Sequence, residues 1–398
     1  MQHLSPTQLP DIDAASADHS EKVAQHIGEK IAANGGVISF AAFMHEALYA
    51  PGLGYYSAGA TKFGAAGDFT TAPEISSLFG YVLARQCAAT LQSLDAPGSA
   101  TAILEFGAGS GKLAADVLTR LDTLDALPDQ YQILEVSADL QERQSTYLRQ
   151  VVPELVERVS WLNELPAEHR GVMIANEVLD ALPVERFVRR TDHVAQICVT
   201  SDAGQFAFVE QEAPAQLRDA VHAVEELLGE CLPDGFTSEL NLAASAWTAE
   251  VAAALQTGTA FLFDYGVSRG EFYAADRSDG WLRCHFRHHA HSEPLILPGI
   301  QDITGWVDFS AIADAAAAGG LDIAGYVSQA HFLMNGGLAE ELAGFSELAP
   351  AAQMQLSAQV KLLTLPGEMG ENFKCLGVSR GLDSPPASLA TMDRTFTL

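Results

Sequence analysis

Two acidic residues stand three apart in Asn176-Glu177-Val178-Leu179-Asp180-Ala181-Leu182-Pro183, directly after the apolar run Gly171–Ala175. That run reads as a buried parallel strand, and in open α/β sheets ligands bind beyond the carboxyl ends of strands. One helical turn would put Glu177 and Asp180 on a single face. Two carboxylates facing one space suit a guanidinium, whose forked donors match carboxylate geometry. The competing reading is a helix cap by Asn176 with solvated acids; the position at a strand end favours chemistry.

A second cluster is Ile103–Lys112, reading Ile-Leu-Glu-Phe-Gly-Ala-Gly-Ser-Gly-Lys. Ala102–Phe106 reads as a strand, Gly107, Gly109 and Gly111 as a tight turn, and Leu113–Leu121 has helical spacing. Such a crossover lets backbone approach a ligand closely at a helix N-terminus. The Walker spacing fails, because Lys112 is followed by Leu113. Glu105, just before the turn, would repel a pyrophosphate but suits an ammonium or a hydroxyl. That argues for S-adenosylmethionine (SAM), which carries an ammonium and a cationic sulfonium. Glu135 closes the next predicted strand, Tyr131–Val136, about twenty residues on, where nucleotide folds place an acid on ribose hydroxyls. Three alternating glycines alone also fit a turn that binds nothing.

The third stretch, Phe63–Gly80, is rich in Gly and Thr and holds Asp68 and Glu74. It reads as a binding loop running into a helix over Glu74–Leu94, with Pro73 in its first turn. A fourth, Gly280–Asp308, reads as a long polar substrate loop. Its His285, His288, His289 and His291 follow no metal-binding spacing, and no metal is expected.

The elements that must hold these groups follow from patterning. Helices are expected from Ser20, as cap, to Gly35-Gly36, and over Ser39–Leu48. Val159–Leu162 and Gly171–Ala175 read as the third and fourth strands. Arg186–Arg189, Val194–Thr200 and Gln205–Val209 read as an extended meander, and Thr259–Asp264 as the fifth strand. Residues 309–365 read as an Ala/Leu-rich helical insertion, and Lys374–Val378 as an antiparallel edge strand. The expected divisions are 1–95, an N-terminal helical segment with an active-site loop; 96–280, a core; 281–365, a substrate loop and helical unit; and 366–398, the last strand and tail.

Composition narrows the class. With 398 residues, 48% of them hydrophobic, the chain can bury a large core. A formal net charge of −29 disfavours nucleic acid and suits a cationic partner such as an arginine-bearing protein. Five scattered cysteines give neither a disulfide framework nor a thiolate metal site. No apolar run approaches membrane-spanning length, and residues 1–20 lack Lys and Arg, so a cytoplasmic protein is expected.

Several strings together resemble one family, the MidA-like SAM-dependent methyltransferases, which include the mitochondrial complex I assembly-factor protein arginine methyltransferase. They are Gly54-Tyr55-Tyr56, Gly67-Asp68-Phe69-Thr70-Thr71-Ala72-Pro73-Glu74, Glu105-Phe-Gly-Ala-Gly109, Leu134-Glu135-Val-Ser137, Asn176–Pro183, Asp264-Tyr265-Gly266, Leu282-Arg283-Cys284, Pro298-Gly299, Asp302-Ile-Thr304, Val307-Asp308-Phe309 and Met369-Gly370. The resemblance spans most of the chain from Gly35 onward. It implies a class I, Rossmann-like, seven-stranded α/β core with an N-terminal helical segment and helical and loop insertions. It implies SAM at Glu105, Phe106, Gly107, Ala108, Gly109, Glu135, Val136 and Asn176, bordered by Thr71 and Pro73. It further implies methylation of a protein arginine, with a complex I subunit as substrate in the characterised mitochondrial members. Glu177 and Asp180 would hold the guanidinium, and Glu74 would close over it. A homo-oligomer is compatible with this. The competing classes are a nucleotide-dependent oxidoreductase, against which Glu105 counts, and a non-catalytic SAM-binding assembly chaperone.

Overall fold

The computed structural model describes residues 2–3, 9–57, 71–94, 99–202 and 204–398. The chain forms two compact units, each assembled from separate stretches: the described parts of Met1–Phe69, Asp180–Ser245 and Ser268–Asp308 in one, and of Thr70–Leu179, Ala246–Val267 and Phe309–Leu398 in the other.

The second unit is built on seven strands: β1 (Ala102–Phe106), β2 (Gln130–Leu134), β3 (Val159–Leu162), β4 (His169–Asn176), β5 (Leu255–Val267), β6 (Asp322–Ser328) and β7 (Phe373–Arg380). Their order is β3-β2-β1-β4-β5-β7-β6. Strands β1 to β5 run parallel, and β7 is antiparallel to both β5 and β6. Parallel strands covered on both faces need near-continuous apolar runs, which is why Ile103, Leu104, Val172, Met173, Ile174, Phe261 and Leu262 are all fully buried. The order reverses between neighbours β1 and β4, the switch point where such sheets open a crevice.

Three expectations are corrected here. The last strand is antiparallel but not at an edge: β7 lies between β5 and β6, and β6 is the edge. Residues 309–365 are not wholly helical, since β6 runs through them. The helix expected over Glu74–Leu94 is broken at Ser76, whose extended backbone (ψ 139°) separates a single turn, Ala72–Ile75, from Ser77–Ser93.

The first unit is antiparallel. Its helix Ala14–Ala33 starts earlier than Ser20, because Asp13 is the cap and accepts the Ser16 N–H; Ser20 is buried inside the helix. Val23, Ile27 and Ile31 form its core stripe, packed with Phe40, Phe43, Met44 and Tyr55. A five-stranded sheet contains Val37–Ser39, Glu185–Arg189, Val194–Asp202, Gln205–Glu212 and Thr237–Leu240. Gly280–Asp308 is not a loop: Leu282–Phe286 pairs with both His289–His291 and Asp302–Gly305. Leu282, Cys284 and Phe286 alternate inward, the period-two pattern of a half-buried strand.

Candidate functional site

Register brings the first group of residues together. Phe106 pairs with Leu134 on one side and Ala175 on the other, so Gly107, Glu135 and Asn176 stand next in one row at the carboxyl ends of β1, β2 and β4. Gly107 and Gly109 adopt φ of 60° and 53°, and Gly111 (φ 85°) caps the helix Lys112–Thr123. These are left-handed conformations that glycine adopts without steric cost. The Gly107 N–H bonds the Leu134 carbonyl, and Gly111 N–H that of Ala108. Phe106 and Ala108 are buried, and Phe106 meets Trp247 edge-on.

Glu135 directly follows β2 and is buried. Its Oε1 accepts the Ser137 N–H at 2.9 Å and its Oε2 the Gln144 amide at 3.3 Å, while burial pushes its pKa up. The next residue, Val136, is 78% exposed. An acid and an apolar surface side by side match a ribose diol and a purine face.

Glu105 does not reach this rim. It is 3% exposed and accepts the Tyr131 hydroxyl at 2.6 Å; burial raises its pKa to about 7, against the pull of that hydrogen bond. Glu74 sits on the glycine turn, where it accepts the Ser110 hydroxyl at 2.5 Å. It projects from the single turn capped by Thr71, with Pro73 buried in its first positions. The loop residues Gly67–Thr70 expected to lead into it lie outside the described residues. Lys112, the cation beside the turn, gives its ammonium to Asp116 (2.5 Å) and Ser77 (3.0 Å). The donor set therefore offers carboxylates and backbone rather than a cation for phosphate, and it fits SAM.

Asn176 ends β4 and no helical turn forms over Glu177–Pro183, an irregular stretch with bends and a turn, so the one-face argument for Glu177 and Asp180 does not hold. Glu177 takes φ 54°, its N–H bonds the Phe263 carbonyl, and Asn176 donates to its Oε1 at 3.3 Å. Fully buried Asp264 ties down the segment, accepting Leu179 N–H at 3.0 Å and Tyr265 N–H at 2.9 Å. Asp180 belongs to the first unit. It is 5% exposed, and its carbonyl accepts the Gly305 N–H. There Tyr56 donates to Asp302 at 3.0 Å, and Tyr49 stacks on Tyr56. Burial raises both tyrosine pKa values, and the nearby Asp302 and Asp180 push them higher.

The sequence reading missed Gln144, Trp161, Tyr131 and Ser110. For Gln144 a signal existed: it stands between Leu140 and Leu148 at four-residue spacing, a polar residue on the inward stripe of Ala138–Val151. Among the described residues no group of three or more His, Cys, Asp or Glu is placed to hold a metal ion. No described helix is long and apolar enough to cross a membrane.

Residues 82–327 match a family model described as "Putative S-adenosyl-L-methionine-dependent methyltransferase". The chain is 27% identical over 392 residues to the Danio rerio "Protein arginine methyltransferase NDUFAF7, mitochondrial", covering 92% of this chain and 88% of that one. It is 28% identical over 382 residues to the Homo sapiens protein of the same name, covering 88% and 81%. A Burkholderia thailandensis crystal structure, bound to S-adenosyl-homocysteine, shares 39% identity and a TM-score of 0.91 across 98% of this chain and 100% of its own. The expected methyltransferase fold and SAM cofactor stand on these likenesses, and the oxidoreductase alternative falls. The cytoplasmic expectation is overturned: the curated relatives are named as mitochondrial, and the absence of Lys and Arg from residues 1–20 was a weak basis for it.

Proposed function

The chain belongs to the family of S-adenosyl-L-methionine-dependent methyltransferases, and we propose that it transfers the methyl group to an arginine side chain of a protein. The observation that carries this reading is the near full-length likeness to relatives named as protein arginine methyltransferases. The strongly acidic chain supports it, since an arginine-bearing partner is drawn to such a field.

Bound SAM supplies a methyl group on a cationic sulfonium, open to in-line attack by a nitrogen lone pair. In this proposal the backbone of Gly107, Ala108 and Gly109 admits the cofactor closely. Glu135 accepts from the ribose hydroxyls, Val136 lies along the purine, and Glu177 and the Asn176 amide oxygen accept from the ammonium. Glu105 works from below by fixing β1 against β2 through Tyr131 rather than by direct contact. Thr71, Pro73 and Glu74 border the turn through Ser110.

The chain's remaining task is to orient a guanidinium so that one nitrogen keeps its lone pair on the methyl. A carboxylate does this by engaging the other fork nitrogens. Glu177 and Asp180 are the candidates, each tested on its own. Asp180→Asn should keep SAM affinity and lose turnover; Glu177→Gln should lose some of both. The measurement pairs calorimetry with S-adenosylhomocysteine and methyl transfer from labelled SAM to arginine-bearing proteins, a respiratory complex I subunit first by resemblance. Label appearing on lysine or on small molecules, and never on arginine, would refute the arginine assignment.

A further inference from the structure

Gln144 lies on the helix Ala138–Val151 and is fully buried, yet each polar atom of its amide has a partner. Its Nε2 donates to the Gly109 carbonyl at 3.0 Å and to Glu135 Oε2 at 3.3 Å. Its Oε1 accepts the indole N–H of Trp161, on β3, at 2.8 Å. Rotating the amide by half a turn would set oxygen against two acceptors and nitrogen against a donor, so the surroundings allow one orientation. The amide thus joins three things: the glycine turn after β1, the carboxylate at the end of β2, and the neighbouring strand. Its methylene stem packs under Gly111, where an added Cβ would sit 3.5 Å from the Gln144 backbone.

We propose that Gln144 is a positioning residue for the cofactor: it locks the Glu135 carboxylate and the Gly109 peptide in the one relative placement that receives the SAM ribose. This rests on the reading that Glu135 holds the ribose. A buried carboxylate left to itself turns toward any donor. Here Ser137 N–H holds one oxygen and Gln144 the other, so the carboxylate is fixed through both oxygens. Because Gln144 touches Gly109 as well, the turn cannot shift without moving the acid. Trp161 acts one step further back, by fixing which end of the amide faces Glu135.

The test uses the full chain and S-adenosylhomocysteine. Gln144→Met removes both donors at similar volume, and Gln144→Glu keeps the acceptor for Trp161 while setting a second carboxylate against Glu135. Both should weaken binding about tenfold or more, the size of a hydrogen bond to a charged group. In a Glu135→Gln background the same changes should cost clearly less, because one of the two partners they position is gone and only the Gly109 contact is left to lose. The pH profile is a further readout. The groups acting on Glu135 are the Ser137 and Val136 N–H and Gln144. Losing one donor to the charged form should move the acid limb of binding to higher pH. Parent-like affinity in the Gln144 variants, or an equal loss with and without Glu135, overturns the proposal. Parent-like binding by Glu135→Gln overturns its premise instead. Should the Gln144 variants fail to fold, Trp161→Phe decides: it should weaken binding in the same direction with the ligand-free melting transition retained, and unchanged affinity would refute the coupling.

Discussion

The carboxyl ends of β1 and β4 are neighbours in one sheet, and both are followed by left-handed backbone, reached by opposite means. After β1 the residues are Gly107 and Gly109, at φ 60° and 53°. After β4 the residue is Glu177, at φ 54°. A glycine takes that conformation freely, whereas a residue with a Cβ gives up about 1–2 kcal/mol. The β1 turn therefore gains closeness by having no side chain. The β4 turn keeps a side chain at a steric cost, which is sustained because Asp264 and the Phe263 carbonyl pin the segment from β5. Strain held in place by neighbours is common where a side chain has work to do. In the proposed function the two turns have different work: one admits a ligand to the backbone, the other presents a carboxylate.

The sharpest way to break that contrast is to give the β1 turn a side chain. Gly107→Val should abolish S-adenosylhomocysteine binding. Its Cβ would stand in ordinary contact, 3.9 Å from Val178, so the space exists, but the left-handed φ does not suit a β-branched residue. The fold should survive, weakened by about 1–2 kcal/mol. Calorimetry and circular dichroism check both halves; parent-like affinity would move the pocket elsewhere.

Next in size is the pH response of Glu105. Its folded pKa of about 7 lies above that of an unfolded carboxyl. The folded protein therefore holds a proton that the unfolded chain releases earlier. The stability this confers is complete below the unfolded pKa, near 4.5, and fades as pH rises through about 7. The whole swing is about 3 kcal/mol. Glu105→Gln should flatten the melting temperature between those two limits relative to the parent. An equal slope in both proteins would show that Glu105 ionises normally. Glu135→Ala comes next, weakening cofactor binding by about 1–3 kcal/mol. Unchanged affinity would remove the ribose contact from the β2 end.

Much of this was legible in residue patterns, and the gaps have physical causes. The strands β1, β4 and β5 announce themselves because sheets covered on both faces need long apolar runs, such as Val172–Ala175 and Ala260–Phe263. β6 did not, because Asp322–Ser328 carries Gly325, whose absent side chain makes room for Leu389; an added Cβ would stand 2.9 Å from it. Gly377 on β7 yields to the same leucine. A sheet position cannot be read from one strand, so β7 looked like an edge. In Leu282–Phe286 the period-two alternation was present but was overshadowed by its histidine. At the site, acid types and glycine spacing were visible, whereas the hydrogen bonds that aim them were not. The partner of Glu105, Tyr131, lies on another strand, so their hydrogen bond could not be read from either run alone. Glu177 and Asp180 looked like a helical pair because spacing says nothing of a left-handed bend.

The smallest effect sharpens the comparison most, because it reverses the first substitution. Glu177→Gly gives the β4 turn the residue type found after β1. Relief of the left-handed strain gains about 1–2 kcal/mol, and the extra freedom of glycine in the unfolded chain takes back about 0.5–1 kcal/mol. The contacts of the side chain are lost too, among them the hydrogen bond from Asn176, which at 3.3 Å between partly exposed groups contributes little. The variant should be as stable as the parent or more so, by up to about 1 kcal/mol, which shifts the melting temperature up by a few degrees at most. Turnover should fall, because the carboxylate that the strained backbone presents is gone. Glu177→Ala separates the two effects: it loses the same carboxylate but keeps a Cβ, so it should lose turnover without gaining stability. A Glu177→Gly protein that melts lower and methylates at the parent rate would show that the bend is held for packing alone, and that the two strand ends differ in residue type but not in purpose.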